Sequence, residues 1–154
     1  MRFQKILFCL LAILPFTAFT TEEAAHEFSG KHFVASYLHC DPEAIRNLEN
    51  LRQAMDEAVG ACGATILQKN SHTFLPDGLT SVYLLSESHA SIHTYPEFQA
   101  CFVDLFTCGN NCSAERFDEI LRKYLRPSEV NARFFLRNDT ITEIPYTLGL
   151  EKVH

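Results

Sequence analysis

Basic residues are in short supply in this chain: 13 Lys and Arg stand against 19 Asp and Glu, a formal net charge of −6. A nucleic-acid binder normally carries a basic stripe, so that class is set aside, while a cationic small molecule remains an acceptable ligand. No repeat or low-complexity stretch is present, and six Gly and six Pro are too few for a collagen-like or disordered chain. With 47% hydrophobic residues over 154 positions, one domain with a substantial core is expected. No second long apolar run follows residue 20, so no integral membrane span is expected in the mature chain. A second Cys or His pair at zinc-site spacing is missing as well, which makes Cys108 and Cys112 a poor start for a metal centre.

What is present begins with residues 1–20. Arg2 and Lys5 precede an apolar run from Ile6 to Phe19, and Ala18-Phe19-Thr20 provides a small-residue cleavage site. The run is short for a membrane span and contains Pro15, so it reads as a secretory signal peptide and predicts a periplasmic or secreted protein. A membrane tether, or a stretch upstream of a misassigned start, is the other reading. Removing it, Cys9 included, leaves Cys40, Cys62, Cys101, Cys108 and Cys112, an odd set in which at least one thiol stays free. Cys108 and Cys112 are close enough in sequence to pair in an oxidising compartment.

The rest of the chain alternates strand and helix signals. His32 to Leu38 has strand character. Asp41-Pro42 then opens a helix, with the aspartate as cap and the proline where no hydrogen bond is lost. Ile45, Leu48, Leu51, Met55 and Val59 form its apolar stripe, and Gly63 stops it. Ala64 to Leu67 and His72 to Phe74 read as a strand or a bulged pair before the turn at Pro76-Asp77-Gly78. Strands are expected over Thr80 to Ser86, His89 to Tyr95 and Phe98 to Thr107. Ser113 caps a second helix with the stripe Phe117, Ile120, Leu121, Tyr124 and Leu125. Val130 to Leu136 is the last expected strand; Asn138-Asp139 makes a turn opening a C-terminal tail, 138–154, expected to be loose from Ile144. The order predicts an α+β two-layer sandwich, an antiparallel sheet with two helices on one face.

Within that frame, Ser86-Glu87-Ser88-His89 and the strand after it carry unusual chemistry. Side chains alternate along a strand, so His89, Ser91, His93 and Tyr95 share one face while Ala90, Ile92 and Thr94 share the other. Ser88 stands at the bend before that strand, where its hydroxyl can turn on the preceding carbonyl.

The run Ser86-Glu87-Ser88-His89, then Ile92-His93-Thr94, Pro96-Glu97 and Asp104-Leu105-Phe106-Thr107-Cys108-Gly109 resembles the prokaryotic S-adenosylmethionine decarboxylase proenzyme family, which is self-processing and pyruvoyl-dependent. Looser similarity, including Gly30-Lys31-His32 and Gly63-Ala64-Thr65-Ile66, extends it over residues 30–137. The resemblance implies cleavage between Glu87 and Ser88: Ser88 Oγ attacks the Glu87 carbonyl carbon, the amide becomes an ester, and elimination leaves Ser88 as an N-terminal pyruvoyl cofactor. It assigns His93 as the processing base, Thr80 as processing support in place of a serine, and Cys108 as proton donor in turnover. A pyruvoyl ketone forms a Schiff base with a substrate amine and accepts the electrons released with carbon dioxide. Glu97 is assigned to ribose hydroxyls, and Phe74 and Tyr95 to the adenine or sulfonium, although both aromatics read equally well as core.

The same resemblance implies a product used as the aminopropyl donor for spermidine synthesis, and a dimer of processed αβ units. Family members are usually cytoplasmic, which opposes the signal peptide. Two other readings stay open: a pyruvoyl decarboxylase of this fold acting on arginine or ornithine, and a non-enzymatic protein using His89, His93 and Cys108 to bind a metal or ligand.

Overall fold

A computed structural model describes residues 28–108 and 111–146. The signal-peptide reading of residues 1–20 lies outside them. Among the described residues seven strands and three α-helices are formed: β1 (Gly30–Leu38), α1 (Pro42–Arg46), α2 (Leu48–Cys62), β2 (Ile66–Phe74), β3 (Gly78–Leu85), β4 (Ser88–Tyr95), β5 (Ala100–Thr107), α3 (Ala114–Leu125), β6 (Glu129–Arg137) and β7 (Ile141–Ile144). A 3₁₀ turn, Pro96–Phe98, links β4 to β5. The strands lie in one sheet in the order β2-β3-β4-β5-β1-β6-β7, with every neighbouring pair antiparallel.

Alternation decides where the core sits. Phe33, Ala35 and Tyr37 of β1, Ala90 and Ile92 of β4, and Val103 and Leu105 of β5 are buried with Leu51, Met55 and Val59 of α2 and Phe117, Leu121 and Leu125 of α3. At the roughly 25 cal/mol per Å² expected for apolar burial, this single layer of contact dominates the favourable side of folding. The alternate residues of the central strands face away from the helices, and the expected α+β two-layer sandwich is formed.

Three local features refine or depart from the sequence reading. The first helix is broken at Asn47, whose φ of −80° and ψ of 85° leave the helical region. Its N–H closes α1 on Glu43 O at 3.1 Å, and its Oδ1 opens α2 by accepting from Asn50 N at 3.1 Å. An asparagine that can satisfy both orphan ends competes with helix continuation. The segment after Ala64 forms one strand, β2, with a register irregularity between Ile66 and Gln68.

The third difference is at the end of the chain. Asn138 makes the expected turn, but β7 follows and pairs with β6, so the tail expected from 138 onward is structured through Tyr146. Tyr146 packs its ring against Phe33 and Phe134, at centroid distances of 5.2 and 6.0 Å. Its hydroxyl donates to Asp118 Oδ2 at 3.1 Å. A four-residue strand and one distant hydroxyl contact leave no periodic signal to read.

Asp118 is 3% exposed and collects three donors: Tyr37 Oη at 2.5 Å on one oxygen, and Arg122 Nε at 2.6 Å and Tyr146 Oη on the other. Burial first, and the adjacent carboxylate second, raise both tyrosine pKa values and keep the phenols protonated as donors. No helix among the described residues is long and apolar enough to cross a membrane. Asp118→Ala leaves Tyr37 and Arg122 without their partner and is expected to cost about 3 kcal/mol, against about 1 kcal/mol for Tyr146→Phe. Urea denaturation of both variants reads the difference, and equal losses would disprove the ranking.

Candidate active site

Between β3 and β4 only Ser86 and Glu87 make the connection, and both are tied to neighbouring chain. Ser86 N–H donates to Thr65 O at 3.0 Å, and Thr65 N–H donates to Glu87 Oε2 at 2.9 Å. Burial alone would raise the Glu87 carboxyl pKa, but hydrogen bonds from Ser86 and the Thr65 N–H outweigh it and the net shift is downward. The Glu87 carbonyl oxygen accepts from the Cys108 N–H at 2.9 Å.

Ser88 then enters β4 with a φ of 152°, a region sparsely populated by residues with a Cβ. Its Oγ lies 3.2 Å from His89 Nδ1. A hydroxyl thus directly follows a carbonyl whose oxygen already has a fixed backbone donor. Should a nucleophile add to that carbon, the same N–H would stabilise the oxyanion.

Cys108 follows the last residue of β5, where Thr107 pairs with Ser88. It lines a cleft of about 290 Å³ with Gly30, Phe106 and Arg137. Phe106 joins this cleft to the open face of the sheet. Its ring lies 5.5 Å from that of His32 and 5.6 Å from that of His89, with the Arg137 guanidinium carbon 4.7 Å from its centroid. Gly30 makes this seat: a Cβ there would lie 2.3 Å from the Phe106 ring.

Next to it, Ser91 Oγ donates to the Asp104 carboxylate, while His32 Nε2 and His89 Nε2 are each 3.9 Å from Asp104 Oδ1. Burial lowers the His32 pKa; Asp104 opposes that shift and Arg137, with Nη1 3.2 Å from His32 Nδ1, adds to it. Sequence reasoning gave His32, Asp104, Phe106 and Arg137 no role. Their shared face follows from the register His32↔Phe106 and Ser91↔Asp104, which no single strand reveals.

A second cluster forms farther along β4. Thr80 and His93 are cross-strand partners, with Thr80 Oγ1 2.5 Å from His93 Nδ1. The His93 ring is 5.8 Å from that of Phe74 and 4.6 Å from that of Tyr95, and Phe74 and Tyr95 are both exposed rather than core. Glu97 follows, exposed, on the 3₁₀ turn. Phe74, Thr80, His93 and Tyr95 are therefore brought together.

They are not brought to Ser88. His93 is five residues farther along β4, about 16 Å at 3.3 Å per residue, and an extended strand cannot fold back on itself. Within one chain the expected pairing of Ser88 with His93 is absent. His89 and His93 are about 13 Å apart on the same basis, which separates two of the three residues considered as metal ligands. Among the described residues no group of three or more His, Cys, Asp or Glu side chains is arranged to hold a metal ion.

Comparison with known proteins places these residues in context. A family model described as S-adenosylmethionine decarboxylase matches residues 31–138. A Thermotoga petrophila protein named S-adenosylmethionine decarboxylase proenzyme is 40% identical over 102 residues, covering 66% of this chain and 78% of that one. Proteins of the same name from Thermosipho africanus and Methanococcus aeolicus are 38% and 37% identical, covering 83% and 86% of those relatives and 70% and 65% of this chain. The crystal structure of the adenosylmethionine decarboxylase from Aquifex aeolicus superimposes with a TM-score of 0.64 at 30% identity, covering 77% of this chain and 96% of that one.

The Gly30 and Phe106 contact is directly testable. Gly30→Ala is expected to destabilise the fold by about 2 kcal/mol through overpacking, and Phe106→Leu in the same chain should recover more than half of it. Additive losses in a denaturation double-mutant cycle would show that the close approach is not felt.

Proposed function

The chain belongs to the S-adenosylmethionine decarboxylase family, and from that premise we propose that it is a self-cleaving, pyruvoyl-dependent enzyme converting S-adenosylmethionine to its decarboxylated form, the aminopropyl donor for spermidine synthesis. The observation that carries the cleavage reading is the pair at the β3–β4 bend: Ser88 at a φ of 152° directly after a carbonyl held by the Cys108 N–H at 2.9 Å. Ser88 Oγ attacks the Glu87 carbonyl carbon, the Cys108 N–H holds the oxyanion, and the peptide bond passes to an ester. A base then removes the Ser88 α-proton, the Glu87 carboxylate leaves as the new chain end, and the dehydroalanine left at position 88 takes up water and releases ammonia to become the pyruvoyl end.

The residues around Ser88 fit that group, since the bend is clamped from Thr65 on one side and Cys108 on the other. When present, the pyruvoyl supplies a ketone that binds the substrate amine and accepts the electron pair released with carbon dioxide. Cys108, in the adjoining cleft, returns a proton to the substrate carbon, a task suited to a thiol near neutral pH. Glu97 accepts hydrogen bonds from ribose hydroxyls, and Phe74 and Tyr95 face the adenine or sulfonium.

The base, His93, is oriented by Thr80 at the far end of β4. We infer that it acts on the Ser88 of a second copy. The sheet face opposite the helices exposes Val82, Leu84 and Phe102 as well as Phe74, an apolar area that two-fold stacking would cover. Stacked with β4 strands running in opposite senses, each copy sets its His93 end over the other's Ser88 end. The αβ units therefore associate as dimers, and each site draws residues from both. The basic-then-apolar residues 1–20 support a periplasmic or secreted location, which cell fractionation tests.

Mass spectrometry of purified protein is expected to show a chain ending at Glu87 and a second chain from 88 with no free N-terminal amine, whereas Ser88→Ala stays whole. Carbon dioxide release should follow S-adenosylmethionine and not arginine or ornithine. Cys108→Ala should cleave normally and turn over about 100-fold more slowly, while His93→Ala should slow cleavage by about the same factor. Co-expression of Ser88→Ala with His93→Ala separates the two-copy site from a one-copy site: the His93→Ala chain should be cleaved in the mixed dimer only. An uncut mixed dimer would place the base within the same chain.

A further inference from the structure

Five cysteines are described, all as free thiols, and four of them stand in two buried couples. Cys40 stands two residues past the end of β1, and its N–H donates to Gln99 O at 2.8 Å, which brings it beside the start of β5 and Cys101. Cys62 ends α2, and its carbonyl accepts from Ser113 N–H at 2.8 Å. The segment carrying Cys112 lies so close to that helix end that a Cβ on Gly63 would meet Asn111 O at 2.7 Å. In each couple the two thiols are near enough to perturb one another's pKa. Cys108 belongs to neither and faces the cleft with Phe106 and Arg137.

We propose that a chain folding in the presence of a disulfide oxidant joins Cys40 to Cys101 and Cys62 to Cys112 and leaves Cys108 as a free thiol. The Glu87–Ser88 bond lies between the members of both couples, with Cys40 and Cys62 before it and Cys101 and Cys112 after it. The two disulfides therefore hold the two chains produced by cleavage together covalently. This stapling rests on the cleavage reading; the pairing itself does not.

Chemically, each couple loses two protons and two electrons to an external disulfide of the glutathione class. One thiolate attacks that disulfide and expels a first thiol. The second cysteine then attacks the mixed disulfide, forms the protein S–S bond and expels the other thiol. The neighbouring Cys101 lowers the Cys40 pKa, so the thiolate of this couple is favoured on Cys40 once the two are brought together. Burial raises Cys62 and pushes Cys112 up to about 11, so both thiols are inert in the finished fold and react while it forms. The pairing also occupies Cys112, which resolves how an odd set of cysteines can coexist with a thiol that must stay reduced.

Refolding the full chain in reduced and oxidised glutathione, blocking free thiols and mapping peptides without reduction tests this. The expected map has Cys40 linked to Cys101, Cys62 linked to Cys112, and label on Cys108, with Cys9 read separately. On a denaturing gel the processed protein should run as one band unreduced and two bands reduced. A Cys40→Ser, Cys62→Ser chain should give two bands either way. Label on all five cysteines, or Cys108 in a disulfide, overturns the pairing. Two bands for the parent chain without reductant overturn it as well. One band in both lanes with the linked peptides present overturns cleavage and upholds the pairing.

Discussion

A sheet has two faces, and among the described residues the helices cover only one of them. That constraint sorts the side chains of every central strand into a buried set and an open set, because alternation leaves no third choice. Ala90, Ile92 and Thr94 hold β4 on the core, and so His89, Ser91, His93 and Tyr95 must project the other way. The polar chemistry of the chain is possible there because that face contributes little to the core under α2 and α3. The buried Asp118 network is the exception, and its three donors satisfy it on the core side.

The same rigidity that sorts the faces also fixes distances along the strand. Ser88 with its clamped carbonyl and His93 with Thr80 belong to one strand, yet the strand keeps them apart. The proposed reaction needs a nucleophile and a base together, and on that reading a chain that builds both on one extended element has to obtain one of them from elsewhere. The exposed apolar side chains between the two clusters give a second copy a reason to lie across them.

Much of this was legible in sequence because it depends on local signals. The caps at Asp41 and Ser113, the stripe ending at Gly63 and the alternation in 88–95 each act over a few residues, and each is present in the structure. What escaped depends on register or on competition. Asn47 ends one helix and starts the next because its side chain and backbone serve opposite ends, which a run of apolar positions conceals. Phe106, Asp104 and Arg137 reach the candidate site through pairing between strands far apart in sequence. The separation of His93 from Ser88 was present in plain counting of residues; the resemblance, by naming both in one reaction, hid that they need not act within one chain.

The donor to the Glu87 carbonyl is a main-chain N–H, and this has a consequence for how the sequence can drift. Every residue except proline supplies that group, so position 108 can change its side chain without withdrawing the hydrogen bond at the bend. In the proposed reaction, proton transfer during turnover and support of the dividing peptide bond would thus be inherited separately although they meet at one residue. On that reading, loss of the thiol would leave a chain that still matures, and such a chain would retain the scaffold on which a different proton donor could later be placed.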